Sequence, residues 1–461
     1  MIRFDGKTIV VVGLSVEGRD TLDFFLQTNC ILRCCDRRNE TDFSDVLHSY
    51  KGQPVTFFFG KNYLEAIRGA DIIVRTPGMS RETPEFSIAV RQGSELTSAT
   101  QLFFECSKAP IIGVTGTKGK GTTATLIAEI LKKAGYNVHL GGNVGTPLLS
   151  RVLTIKPSDW VVVELSSFQL EDLQTSPHIA VVLRITQDHL ANYDKNATNF
   201  HKTRDEYIKA KSQIIRHQKS DDVAVLNADD QVSSGFSKLT PAKIAFFSRY
   251  GKKAMSYVNN HAVYIDINGK VEKICSRDTV KLRGDHNLEN IAAASLAAHE
   301  TGASVTAIRD AVSEFSGLDH RLKFVRSIGK VAYYDDSFST IPETTIAALE
   351  SFDEPKVLIL GGSEKMSDFT DMGRKIAQSN TVGVVVIGQM TERIVKALRD
   401  GHFSGKIMTG CTTMTDIVVQ AQKLATPGSV VILTPACASF DMFNNYKERG
   451  KIFQHEVLSL T

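Results

Sequence analysis

Residues Gly116-Thr117-Lys118-Gly119-Lys120-Gly121-Thr122 carry the clearest chemistry in the chain. They follow the apolar run Ile111–Val114 and precede a helical pattern near Thr123–Ala134, the setting a phosphate-binding loop requires. The glycines let backbone N–H groups turn toward an anion without Cβ clashes. The amino end of the following helix adds unpaired donors and a positive dipole end. Lys120 would bring charge to a transferable phosphate, and Thr122 a hydroxyl to Mg²⁺. In the usual spacing Ser or Thr directly follows the lysine, whereas here Gly121 intervenes. The competing reading is a glycine-rich turn with a solvated lysine.

Two more groups fall where a metal ion could be held. Glu164 closes the run Trp160-Val-Val-Val163. A carboxylate at the carboxyl end of a central parallel strand lies on the ligand-binding edge of the sheet and could hold Mg²⁺ directly or through water. Taken alone it reads equally as a helix cap or a surface glutamate. His189, in Asp188-His189 after the run Ile179–Leu183, could reach the same edge; its alternative is a satisfied structural histidine. Lys211, in Tyr207-Ile-Lys-Ala-Lys211, reads from its neighbours as an ordinary helix-surface lysine.

Positioning these residues takes a repeated strand-then-helix scaffold. Short apolar runs at Thr8–Val12, Ile31–Cys35 and Asp71–Val74 alternate with helical stretches such as Arg19–Gln27. The pattern restarts at Pro110 with Ile111–Val114, Trp160–Val163, Ile179–Leu183 and Val223–Val225, then a β-rich segment at Ile244–Lys281. Helices are predicted at Asn287–Thr301 and Ser304–Phe315. A third start follows His320, with Val357–Leu360, Val382–Ile387 and Val430–Leu433. Such runs are those of buried parallel strands, and three βαβ-type units predict three α/β domains. The expected boundaries are 1–98, 99–318 and 319–461.

Composition narrows the function classes. The 461 residues are 42% hydrophobic and 23% charged, with a net charge of +3 and no block of like charge. A nucleic-acid or anionic-membrane partner gains no support from that balance. No apolar run is long enough to span a bilayer, and Met1-Ile-Arg-Phe-Asp5-Gly6 has no signal-peptide core, so a cytoplasmic location is expected. Seven scattered cysteines fit reduced thiols, with Cys34-Cys35 in a buried strand.

Gly13-Leu14-Ser15-Val-Glu17-Gly18 follows the first strand, with Asp36 at the distance of a ribose contact. It could be a degenerate dinucleotide fingerprint, but its glycine pattern is incomplete.

Read together, the motifs resemble the Mur ligases over the whole chain. They are Gly141-Gly-Asn143-Val-Gly145, Glu164-Leu-Ser-Ser-Phe-Gln169-Leu, Asp188-His189-Leu, His286-Asn287-Leu-Glu-Asn290, His320-Arg321-Leu and Pro435-Ala-Cys-Ala-Ser439-Phe-Asp. Two of them, Glu-Leu-Ser-Ser-Phe-Gln-Leu and Ala-Cys-Ala-Ser, point to the D-glutamate-adding branch. The resemblance implies a Rossmann-like first domain for a UDP-sugar, a P-loop ATPase-type central domain, and a Rossmann-like third domain for an amino acid. It implies ATP-dependent ligation of D-glutamate to UDP-MurNAc-L-alanine through an acyl phosphate, in peptidoglycan precursor synthesis. The third domain would close on the site and exclude water. Two Mg²⁺ ions are implied, held by Thr122, Glu164, His189 and a carbamylated Lys211. Gly116 to Thr122, Asn287, Asn290, Arg321 and Asp336 would contact ATP, and Asn143 the reacting carboxylate. Gly13, Leu14, Ser15, Asp36, Thr76, Gly78, Ser166 and Gln169 would hold the acceptor. Thr340, Lys365, Ser439 and Tyr446 would hold D-glutamate. A monomer is expected.

The chain departs from the resemblance at Phe338, where the family carries lysine, at Tyr446, where phenylalanine is commoner, and at Lys323, where glutamate is common. Gly121 replaces a hydroxyl residue, as in folylpolyglutamate synthases. The alternatives are therefore a Mur-like or folylpolyglutamate-synthase-like ligase with other substrates, or a non-catalytic, partner-dependent nucleotide-binding relative.

Overall fold

The structure, a computed structural model, describes residues 2–143, 146–186, 199–251, 253–363 and 367–460. It contains three α/β sheets. The first sheet is β1 (Thr8–Val12), β2 (Ile31–Asp36), β3 (Val55–Phe59), β4 (Ile72–Arg75) and β5 (Glu95–Ser98), in the order β3-β2-β1-β4-β5. Every pairing in it is parallel.

The second sheet contains β6 (Ile111–Thr115), β7 (Val138–Gly142), β8 (Trp160–Glu164), β9 (Ile179–Val182) and β10 (Val223–Asn227). It continues through β11 (Lys243–Ser248), β12 (Ser256–Asn259), β13 (Ala262–Ile267) and β14 (Lys270–Ser276). Its order is β14-β13-β12-β11-β10-β9-β6-β8-β7, with β13 antiparallel to both of its neighbours.

The third sheet is built from β15 (Lys323–Ile328), β16 (Val331–Asp335), β17 (Lys356–Gly361), β18 (Thr381–Ile387), β19 (Lys406–Met408) and β20 (Val430–Leu433). Its order is β15-β16-β20-β17-β18-β19, and only the β15–β16 pair is antiparallel.

The strands foreseen from sequence are mostly the central ones, whose residues are buried on both faces. Those missed include the edges β3, β5, β7, β15 and β19; β5, β15 and β19 are short or polar and β7 ends in glycine, as edge strands often do, while β3 is an apolar run that was passed over. Two of the predicted helices start about a turn early. The first runs Val16–Phe25 and the one after the phosphate loop runs Lys120–Lys133. Cys34 and Cys35 are free and buried in β2, as expected.

Two compact units result, Met1–Ser276 with Leu288–Val312, and Arg277–Asn287 with Ser313–Thr461. The first two sheets share one unit. The Asp20 carboxylate, on the helix after β1, accepts from Leu149 N at 2.9 Å and from Ser150 Oγ at 2.5 Å. Among the described residues no helix is long and apolar enough to cross a membrane.

Candidate active site

In the second sheet β6 lies between β8 and β9. The chain leaves β6 for β7 and β8 on one side, then returns to β9 on the other. A parallel sheet opens a crevice at such a reversal, and the phosphate loop fills it. Thr115 Oγ1 donates to Leu165 O at 2.9 Å, and Thr117 N to Arg184 O at 2.9 Å, tying the loop to both neighbouring strand ends. Gly116 has φ +150°, and a Cβ there would lie 2.6 Å from Leu183 Cβ. Gly119, at φ +86°, caps the following helix, and a Cβ there would strike Asn290 Oδ1. Lys120, Gly121 and Thr122 are therefore the first turn of the helix rather than loop. Lys120 Nζ donates to Thr117 O at 2.9 Å, Thr122 is buried, and Lys118 is exposed.

Glu164 is buried at the end of β8, in register with Val114 of β6 and Gly142 of β7. Asn143 N donates to its carbonyl at 3.3 Å, so the expected Asn143 and Glu164 are neighbours. Lys211 corrects the sequence reading: it is 1% exposed. Its Nζ donates to Gly116 O at 2.9 Å and to Thr115 Oγ1 at 3.3 Å, and stands 4.7 Å from the centre of the Tyr207 ring. Helix Arg204–Arg216 buries Tyr207, Ala210, Lys211, Ile214 and Ile215, a spacing of three and four that marks one helix face. That stripe was the overlooked signal. His189 and Gly145 lie outside the described residues. Among the described residues no group of three or more His, Cys, Asp or Glu is arranged to hold a metal. The hard oxygens of Glu164 and Thr122 suit Mg²⁺ in type.

The first sheet repeats the reversal, with β1 between β2 and β4. Gly13 to Ser15 follow β1, Asp36 ends β2, and Thr76 to Gly78 follow β4. Gly13 has φ +95°, and a Cβ there would lie 3.1 Å from Thr76 Cγ2. Leu14 N donates to Asp36 Oδ2 at 2.9 Å, and Arg38 binds the same carboxylate through Nε and Nη2, both at 3.1 Å. Burial opposes the charge on Asp36, but Arg38 and the backbone donors outweigh it and hold the carboxyl below its ordinary range. Ser15 precedes the helix without a side-chain cap bond. Ser166 and Gln169 cap each other: Gln169 N donates to Ser166 Oγ and Ser166 N to Gln169 Oε1.

In the other unit, the carboxyl ends of β16, β20 and β17 face one edge. Asp336 follows β16, is fully buried, and accepts from Leu322 N, Thr434 Oγ1 and Ser339 Oγ. Arg321 stacks over the Phe338 ring at 4.6 Å, and Phe338 meets Tyr446 edge to face at 5.1 Å. The unexpected phenylalanine thus supports the arginine through its ring face. Ser439 is buried, with Thr340 partly exposed. Lys323, another departure, pairs with Asp319. Asn287 Nδ2 donates to Arg283 O at 2.6 Å. Lys365 lies outside the described residues.

Burial pushes the Asp336 carboxyl up to about 7, against the hydrogen bonds that favour its charge. A group raised in the folded state stabilises the fold fully below its unfolded pKa, and that contribution is lost as pH rises through the folded value. Asp336→Asn should therefore lose least, relative to the parent, near pH 7–8 and most near pH 4. The difference should be on the order of a few kcal/mol, read by chemical denaturation across that range. A pH-independent difference would contradict it.

Sequence reasoning missed Arg75, Glu17 and His201, whose partners are remote in the chain. Glu17, in the first turn of the helix after β1, is held up at about 7 by burial while bonded to Gln169.

Comparison with known proteins places this arrangement in a class. The chain belongs to the Mur ligase family: the Mur ligase middle domain matches residues 114–298, the Mur ligase, glutamate ligase domain matches 320–437, and the Mur ligase MurD-like N-terminal domain matches 7–98. It is an ATP-dependent ligase of that family. It is 36% identical to the UDP-N-acetylmuramoylalanine–D-glutamate ligase of Acetivibrio thermocellus, over 99% of this chain and 97% of that protein. It is also 36% identical to the protein of the same name from Symbiobacterium thermophilum, over 98% of each. Among solved structures, the UDP-N-acetylmuramate–alanine ligase of Thermotoga maritima shares the fold with a TM-score of 0.58 at 19% identity, over 98% of this chain and 99% of that one. The MurF ligase of Thermotoga maritima, solved with ADP, gives 0.57 at 18%, over 99% and 96%.

Proposed function

We propose that this protein joins the amine of D-glutamate to the carboxylate of UDP-N-acetylmuramoyl-L-alanine, with ATP cleaved to ADP and phosphate. The observation that carries the chemistry is the meeting of the phosphate loop, Glu164 and buried Lys211 at one reversal of the second sheet. The full-length likeness to ligases of that name supports the choice of substrates.

A carboxylate is a poor electrophile, and amide formation in water is uphill. The acceptor oxygen therefore attacks the γ-phosphorus and ADP leaves, giving an acyl phosphate. The amine adds to the acyl carbon, loses its proton, and expels phosphate together with the original carboxylate oxygen. The first step brings two anions together. Lys120 and the helix amino end offset that repulsion, and preorganised donors of this kind dominate such catalysis. Mg²⁺, when held by Glu164, Thr122 and His189, would neutralise charge on the phosphate oxygens. Lys211, as a carbamate, would help hold a second Mg²⁺. Its nitrogen already sits at Gly116 O and Thr115 Oγ1, and on the same helix Tyr207 Oη bonds Thr117 Oγ1 at 3.0 Å. Asn143, beside Glu164, would orient the carboxylate. Asp36 and the loops after β1 and β4 would hold the uridine nucleotide. Thr340, Lys365, Ser439 and Tyr446 would select the amino acid.

Incubation with ATP, UDP-MurNAc-L-alanine and a panel of amino acids tests this reading. Phosphate release should require the acceptor and be strongest with D-glutamate. Release with another amino acid but none with D-glutamate would overturn the substrate assignment.

A further inference from the structure

Arg75 is a buried cation that the chemistry above does not use. It ends β4, and its side chain is 0% exposed. Its guanidinium joins two segments distant in sequence. Nη1 donates to Met79 O, in the loop that carries Thr76 and Gly78. Nη2 donates to Phe168 O at 3.2 Å and Glu171 Oε2 at 3.1 Å, and lies 2.7 Å from Asp172 Oδ2. Phe168 belongs to the short helix Ser167–Leu170, which Ser166 caps with Gln169 as reciprocal partner.

The same junction is fastened at other points. Arg81 Nη1 donates to Glu171 O at 3.0 Å, and Asn199 Nδ2 to Pro77 O at 2.7 Å. Glu171 Oε1 is 3.4 Å from His201 Nδ1, whose Nε2 is 2.9 Å from Ser167 Oγ. The His201 ring lies flat on Phe168, with centres 4.8 Å apart. Burial raises the pKa of Glu171 and Asp172, and Arg75 pulls both back down.

Enclosing one guanidinium with two carboxylates carries a large desolvation cost, and apolar side chains would join two segments with less. What apolar contact cannot do is fix two main-chain carbonyls at one planar fork of donors. We propose that Arg75 is a positioning residue for the acceptor, holding the Thr76–Met79 loop and the Ser166–Gln169 turn in a single register so that both meet the same substrate molecule. This rests on the acceptor site proposed above.

The test uses the full chain and two variants, Arg75→Lys and Glu171→Gln, with KM measured separately for UDP-MurNAc-L-alanine and for ATP. Lysine keeps the charge but offers one donor point in place of a fork. Arg75→Lys should raise the acceptor KM by about tenfold or more and leave the ATP KM within about twofold. A lowered melting temperature with unchanged acceptor KM would make Arg75 merely structural and overturn the proposal. If Arg75→Lys does not fold, Glu171→Gln decides by the same split, since it leaves the Arg75–Asp172 pair in place; a rise of about threefold is expected, and an unchanged acceptor KM overturns the proposal. Failure of the parent protein to turn over this acceptor would show before any variant is made, and would overturn the substrate reading and this proposal with it.

Discussion

Replacing Lys211 with methionine is expected to lower phosphate release by at least about a thousandfold while leaving the protein folded. Methionine matches the length of the buried stem. The change removes a charge from the interior, which is often neutral or stabilising when an apolar group of similar volume takes its place. Against that, Gly116 O loses its Lys211 donor, at about 1–3 kcal/mol. Thr115 Oγ1 keeps its bond to Leu165 O. The melting temperature should therefore shift little. Activity should nonetheless vanish, because no nitrogen remains beneath the phosphate loop to carry the proposed carbamate, and added bicarbonate should not restore it. A lysine with only a structural role predicts the converse: a fall in melting temperature, with turnover preserved in whatever fraction folds.

Lys120→Met should cost a similar factor, at least about a thousandfold in kcat, through a different route. Lys120 is the first residue of its helix, behind a glycine whose positive φ lets the backbone donors face the crevice. Its ammonium is close enough to the loop to bond Thr117 O. A cation so placed is stronger in the transition state, where charge spreads over the γ-phosphate oxygens, than in the ground state. Its loss should thus appear in kcat more than in the KM for ATP. Lys118, exposed and two residues away in the same loop, is the comparison, and Lys118→Met should cost clearly less than Lys120→Met. Equal losses at both positions would mean that the loop needs positive charge in general rather than Lys120 in particular.

The phosphate loop was legible from sequence because its glycines and lysine are consecutive and the strand before it is apolar on both faces. The start of its helix was not. Lys120-Gly-Thr-Thr carries no polar cap, and the cap is a glycine in left-handed conformation, which only coordinates reveal. Lys211 was legible in principle, since it shares a buried stripe with Tyr207, Ala210, Ile214 and Ile215, but a lysine taken residue by residue is assigned to the surface. Arg75 could not be read at all. Its strand ends at Val74 in a hydropathy pattern, and its partner Glu171 lies 96 residues away, in the next domain. Ser166 and Gln169 were found by resemblance, yet their hydrogen bonds show a mutual cap that also shapes the turn.

The most direct test of the central claim follows the oxygen. UDP-MurNAc-L-alanine labelled with ¹⁸O in its reacting carboxylate is turned over with ATP and D-glutamate in unlabelled water, and the released phosphate is weighed by mass spectrometry. Activation through an acyl phosphate predicts one labelled oxygen transferred to phosphate for each amide formed. Amide formation accompanied by unlabelled phosphate would contradict it.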